Sequence, residues 1–145
     1  MSEVLHSAGD ELSAAQLYDL LRLRCEVFVV EQACAYQELD GVDLLPTTSH
    51  LWVEDVDRRV LSCLRVFPGE LRDRRIGRVC TAEDQRGQGH SARLMRAALD
   101  RYPGSSWMLH AQCAVAEFYR RMGFTESGPE FDEDGIPHVL MVRNV

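Results

Sequence analysis

The sequence contains no lysine; all 16 of its basic side chains are arginine. This rules out a P-loop at the one glycine-bearing turn that invites it, because Gly89 is followed by His90 and Ser91 where a P-loop requires lysine. The deficit itself is read as genome composition. Long apolar runs are absent as well, and nothing approaches the roughly 20 residues that span a bilayer. The N-terminal MSEVLHSAGDEL has neither a basic nor an apolar segment. That argues against a signal peptide, so a cytoplasmic protein with no membrane partner is expected. Closely paired cysteines are missing too. Cys25, Cys34, Cys63, Cys80 and Cys113 are odd in number and mostly sit in apolar runs, as reduced thiols do, and no metal site is expected. Cys34, in the polar QACAYQ, is the exception, either exposed or lining a site. Excess positive charge is lacking: a net charge of −7 argues against nucleic acid and suits a cationic substrate. No linker or repeat divides the chain, so its 145 residues are expected to form one domain, 1–145.

What organises the sequence is the stretch from Arg78 to Leu99, RVCTAEDQRGQGHSARLMRAAL. An apolar strand enters the turn Arg86, Gly87, Gln88, Gly89, His90 and Ser91, which runs straight into an amphipathic helix. The first N–H groups of a helix have no intrahelical acceptor and sit at its positive end, so such a corner attracts anions. Strand–turn–helix joints with glycines are also common as plain connections, and the turn alone names no ligand.

The rest of the chain supplies the context. Ser13 and Gln16 have capping-box spacing, with Leu12 and Leu17 placed as a staple, and predict a helix that continues through Phe28, Val29 and Val30. Gln37 to Thr48 reads as a loop. From Ser49 the period changes to two, giving strands in HLWVEDV and RRVLSCLRVF and, after the charged ELRDRR, a third from Ile76 to Thr81. Ser91, Leu94, Met95, Ala98 and Tyr102 form one apolar stripe along the helix after the turn. Pro103-Gly104 ends that helix. Trp107 to Ala111 is a fourth strand, and the strand–helix–strand passage implies a parallel crossover. A helix with Val115, Phe118, Tyr119 and Met122 on one face stops at Gly123, and Phe124–Ser127 pairs with His138–Val142 as a hairpin.

This order, with Arg-Gly-Gln-Gly after the third strand of a meander and FYRRMGF on the helix after the next strand, resembles the GNAT family of acyl-CoA-dependent N-acetyltransferases. Three longer stretches are similar to its ElaA-like subgroup: LRLRCEVFVVEQACAYQELDGVD (Leu21 to Asp43), IGRV (Ile76 to Val79) and EDGIPHVLM (Glu133 to Met141). The resemblance implies an α+β GNAT-like acyl-CoA N-acyltransferase fold, a mixed twisted sheet of about six or seven strands flanked by about four helices. It implies acetyl-CoA as co-substrate, with no metal. The turn Arg86 to Ser91 would cradle the pyrophosphate on its backbone N–H groups, and Gly87 and Gly89 would keep side chains out of the way. Ser91 stands where the family prefers Gly or Ala, and Glu83 where it often has Pro. Backbone groups of Val79, Cys80 and Thr81 would pair with the pantetheine arm like an added strand. Gln112 stands where many relatives carry a cofactor-contacting asparagine. Tyr119 matches the tyrosine that protonates the departing thiolate, a transfer compatible with pKa values of about 8.5 for a thiol and about 10 for tyrosine. A core tyrosine would occupy the same stripe, and the resemblance is what favours the site role.

The attacking amine must be neutral, so something must take its proton. Glu31, in the stretch that forms the substrate wall in relatives, is the first candidate, with His110 and His138 as others. Arg24, Tyr36, Arg78 and His110 are the candidate substrate-binding residues, the two arginines to hold a carboxylate or carbonyl. Tyr36, Asp40 and the acidic loop Asp132 to Asp134 could complete a mouth for a cation. Each of these also has a plain reading as an ion pair or solvated loop. The expected reaction is acetyl transfer to an amine of a small molecule or peptide by direct attack in a ternary complex. A non-catalytic acyl-CoA-binding or sensing module with the same fold is the alternative. A relay through Cys34 or Cys80 is disfavoured because neither has a basic activator beside it in sequence. Relatives often form homodimers, and the sequence leaves that state open here.

Overall fold

Ser13 Oγ accepts a hydrogen bond from the Gln16 amide at 3.1 Å, and Gln16 Oε1 accepts one from the Ser13 amide at 2.9 Å. This is the predicted capping box, whose serine contributes about 1 kcal/mol. In the computed structural model, which describes residues 3–144, helix α1 spans Ala14–Arg24 and runs on into a π-helical segment, Cys25–Glu31. The amides of Gln32 and Cys34 reach back five residues to the carbonyls of Val27 and Val29, at 3.2 and 3.1 Å. The expected helix is therefore present but widened at its end, and the widening carries Phe28 and Gln32 to the edge of the cleft described below.

The strands are β1 (Leu5–Ala8), β2 (Ser49–Glu54), β3 (Val60–Pro68), β4 (Asp73–Thr81), β5 (Ser106–Gln112), β6 (Thr125–Glu126), β7 (Phe131–Glu133) and β8 (Ile136–Arg143). They form one open sheet in the order β1-β2-β3-β4-β5-β8-β6, with β7 also paired to β8. Helix α2, His90–Arg101, makes the expected crossover between β4 and β5, the parallel pair, and α3 is the short Ala116–Arg120. Three elements go beyond the sequence reading, β7 at Phe131–Glu133 among them. β1 adds an edge strand on β2, and β4 starts at Asp73 rather than Ile76. Arginine stems can lie along a sheet while their heads reach out. Arg74 does this, with its guanidinium 3.8 Å from the centre of the Tyr102 ring, so a charged run serves as strand.

The sheet is covered on both faces. Leu94, Met95 and Ala98, the core of the predicted stripe, pack with Leu51, Leu64 and Val66 under α2. Leu20, Leu23 and Val27 pack with Trp52, Cys63 and Cys80 under α1. Two irregularities then create a site. β4 and β5 pair only at Asp73–Ser106, Arg74–Trp107 and Arg75–Met108, after which they diverge. Opposite β3, Arg65 pairs Gly77 while Cys63 pairs Cys80, so β4 carries one extra residue in a bulge. Arg78 sits in that bulge with φ +53°, a left-handed conformation costing a non-glycine residue about 1–2 kcal/mol. No helix among the described residues is long and apolar enough to cross a membrane.

Candidate active site

A cleft of about 1120 Å³ fills the space between the diverging ends of β4 and β5. Its upper end is the turn after β4. Gly87 and Gly89 both have φ +80°, and no atom lies within 4 Å of the place a Cβ would occupy on either. Their requirement for glycine is thus conformational, together with the open space in front of them. The first helical bond of α2 runs from the Arg93 amide to the Gly89 carbonyl at 3.1 Å. The amides of His90, Ser91 and Ala92 precede it and lack helical acceptors, and all three residues line the cleft. Both ring nitrogens of His90 are shut off from solvent without a partner, and burial followed by the charge of Arg93 lowers its pKa, leaving a neutral ring with a spare donor. Unsatisfied donors around an open left-handed turn fit a diphosphate such as that of coenzyme A. Replacing Gly89 with alanine should weaken coenzyme A binding by roughly tenfold or more while costing the fold only about 1–2 kcal/mol, measured by calorimetric titration and thermal melting.

The rest of the turn divides by role. Arg86 is committed: its Nη atoms grip both oxygens of Glu31 at 2.7 Å and its Nε donates to the Thr81 carbonyl at 3.1 Å. Gln88 is exposed and is not part of the lining. Thr81 Oγ1 lies between Ser62 Oγ at 2.8 Å and Ser91 Oγ at 2.7 Å, a hydroxyl chain that ties β3, β4 and α2 together. Val79, Cys80 and Thr81 line the cleft beside this chain.

Tyr119 is 7 % exposed, lies in the cleft wall and packs edge-on against Phe118 and Phe124. Burial, with a smaller contribution from Cys80, raises its pKa far above the usual tyrosine value, so the hydroxyl is held protonated. Cys80 faces Cys63 across the strands, with sulfurs 3.7 Å apart; the contact with Cys63, then burial, pushes the Cys80 thiol well up. Gln112 lines the cleft and exchanges amide hydrogen bonds with Gln32 at 3.2 Å. Cys34 is buried in the wall, its Sγ donating to the Asp134 carbonyl at 3.2 Å.

Also in the cleft lining, Glu133 bridges two histidines. His110 Nδ1 is 3.2 Å from Glu133 Oε1, and His138 Nε2 is 3.3 Å from Oε2. His138 Nδ1 also lies 2.7 Å from the Ile136 carbonyl oxygen, so both ring nitrogens face oxygen atoms of the protein and the ring is fixed. Phe131 packs against both imidazoles. The hairpin that delivers Glu133 turns at Asp134 and Gly135, both with positive φ, the sequence pair such turns favour.

Several of the sequence candidates are paired with one another, and two of them lie outside the cleft lining. Glu31 is not part of the cleft lining: its ion pair with Arg86, which lowers its pKa, links the end of the π-helical segment to the turn. Arg24 is 2 % exposed and outside the cleft, its Nε on Glu38 at 2.7 Å and its Nη1 on Asp43 at 2.6 Å. Arg65 joins the same buried cluster through Asp40 at 2.5 Å and Asp43 at 3.0 Å. Asp40 is thereby paired with Arg65 and lies 3.5 Å from Arg78. Arg78 does line the cleft, but its Nε donates to the Glu38 carboxylate at 3.0 Å while its guanidinium lies 5.6 Å from the Tyr36 ring centre. The Tyr36 hydroxyl donates to Glu38, and burial followed by that bond raises its pKa. The sequence reading missed the bridging role of Glu133, although Glu133 lies in a stretch quoted for the resemblance.

The profile of the acetyltransferase (GNAT) domain matches residues 11–145. The chain belongs to the GNAT family. Among GNAT relatives, a UPF0039 protein of Mycobacterium tuberculosis is 48% identical over 147 residues, covering 99% of this chain and 94% of the relative. Protein ElaA of Escherichia coli is 39% identical over 143 residues, covering 93% and 92%. The crystal structure of Escherichia coli ElaA superposes with a TM-score of 0.92 at 37% identity, covering 99% of this chain and all of that one. An acyl-CoA N-acyltransferase from Pseudomonas aeruginosa gives the same TM-score and identity, covering 99% of each chain. The GNAT acyl-CoA N-acyltransferase fold and the ElaA-like resemblance therefore hold for this chain, and acyl transfer is the chemistry of its family.

Proposed function

We propose that the chain transfers an acetyl group from acetyl-CoA to a primary amine, by direct attack with both substrates bound. The observation that carries this reading is one continuous cleft with the donor-rich turn at one end and with protonated Tyr119 and the His110–Glu133–His138 group both in its lining. Acetyl-CoA supplies an activated thioester, and the protein's part is to align it and move protons. The turn amides and His90 would hold the pyrophosphate, and the exposed edge of β4 at Val79 to Thr81 the pantetheine arm. The amine nitrogen bonds to the acetyl carbon as the carbon–sulfur bond breaks. Tyr119 gives its proton to the sulfur. The proton lost by the amine passes to the second ring nitrogen of His110, with Glu133 on its Nδ1 positioned to stabilise the imidazolium that forms. An acyl-enzyme is disfavoured because Cys80 is held protonated and Cys34 is committed to a carbonyl.

The test is thiol release from acetyl-CoA over a broad panel of amines. Release that depends on one class of amine supports the reading. Thermal stabilisation by coenzyme A with no release from any amine would instead make the chain a binding or sensing module.

A further inference from the structure

Four arginines line the cleft: Arg65, Arg75, Arg78 and Arg86. Three are neutralised by carboxylates, Arg86 by Glu31, Arg65 by Asp40 and Asp43, and Arg78 by Glu38 and Asp40. Arg75 has no ion-pair or hydrogen-bond partner among the described residues, and its Nε is shut off from solvent. Arg65 also has an unsatisfied Nε, but both of its Nη atoms are taken. A guanidinium N–H removed from water without an acceptor is unfavourable and calls for one.

The position of Arg75 says which ligand would supply that acceptor. It pairs with Met108 at the vertex where β4 and β5 part, the opposite end of β4 from the phosphate turn. Met108 and His110 share a face of β5, and two residues of strand separate them by about 7 Å. Leu140, paired with His110, and Phe67 line the same region with apolar surface. A ligand reaching from the His110–Glu133–His138 group to Arg75 thus meets a proton acceptor at one end, an apolar floor, and a single uncompensated positive charge at the other. One guanidinium fork with its neighbours neutralised matches a carboxylate monoanion better than a phosphate dianion.

We infer that Arg75 is the anion subsite of the acceptor end, and that the acceptor is an amine carrying a carboxylate several bonds from its nitrogen. The role of the amine rests on the acetyl-transfer reading above; the carboxylate subsite stands on Arg75 alone. The experiment titrates δ-aminovalerate and its amide into coenzyme A-saturated protein by calorimetry, using wild type, Arg75→Gln and Arg75→Lys, each checked for an unchanged melting profile. Wild type should bind the acid roughly tenfold or more tightly than the amide; Arg75→Gln should lose that preference, and Arg75→Lys should keep part of it. Equal binding of acid and amide, binding of neither, or a preference intact in Arg75→Gln overturns the subsite. Thiol release in the same samples separates the two readings. Turnover of amines without any carboxylate preference removes the subsite and leaves acetyl transfer standing, whereas Arg75-dependent acid binding with no turnover of any amine does the reverse.

Discussion

Replacing Arg24 with methionine should lower the stability of the fold by about 3 kcal/mol, the lower end of the range for breaking a buried ion pair. Arg24 is fully enclosed, and its removal leaves Glu38 and Asp43 buried with only Arg78 and Arg65 to compensate them. That residual compensation is why the lower end applies. Chemical denaturation measures the effect, and a change below about 0.5 kcal/mol would mean that the cluster contributes little. The same cluster sets the acid limit of the fold. The bonds to Arg65 hold the Asp40 carboxyl far below the ordinary value. Burial raises the Asp43 carboxyl, but its bonds and charge interactions with Arg24 and Arg65 outweigh that and hold it below the ordinary value. Carboxylates depressed in the folded state contribute fully above their unfolded pKa of about 4, and that contribution fades as pH falls through the folded values. Wild type should therefore lose stability below about pH 4. In Arg24→Met, Asp43 loses its main counter-charge while its burial remains, so the acid transition should move to higher pH.

Replacing Tyr119 with phenylalanine should reduce kcat by about 100-fold, the lower bound typical of losing a general acid. The ring would keep its packing on Phe118 and Phe124, and the hydroxyl has no hydrogen-bond partner among the described residues, so the fold should be unharmed. Because the raised pKa keeps Tyr119 protonated across the neutral range, no loss of wild-type activity from its ionisation is expected below about pH 10. Steady-state kinetics and melting of the variant decide the matter: an unchanged kcat returns Tyr119 to the core.

The features legible in the sequence are those written in local spacing. Ser13 and Gln16 announce a cap three residues apart, Leu94, Met95 and Ala98 announce a buried stripe, and the glycines of the turn announce their positive φ. What stayed hidden depends on pairs that spacing cannot link. Arg24 meets Glu38 and Asp43 across 14 and 19 residues, and Arg86 meets Glu31 across 55. Side chains read as substrate ligands or bases from their neighbourhoods are thereby spent on one another. Arg75 was hidden for a different reason. ELRDRR reads as a charged excursion, and only pairing with β3 and β5 turns its last arginine into part of the cleft. Glu133 gained its meaning when the Asp134-Gly135 turn folded β7 back onto β8 and set it between His110 and His138.

The most direct measurement of the central claim is stoichiometry: the thiol released from acetyl-CoA against the acetylated amine recovered, with the intact mass of the protein followed in the same reaction. One thiol for each acetylated amine, with the protein mass unchanged throughout, is the expected result. Thiol release without acetylated amine, or an acetylated protein that forms and decays during turnover, would contradict direct transfer within this cleft.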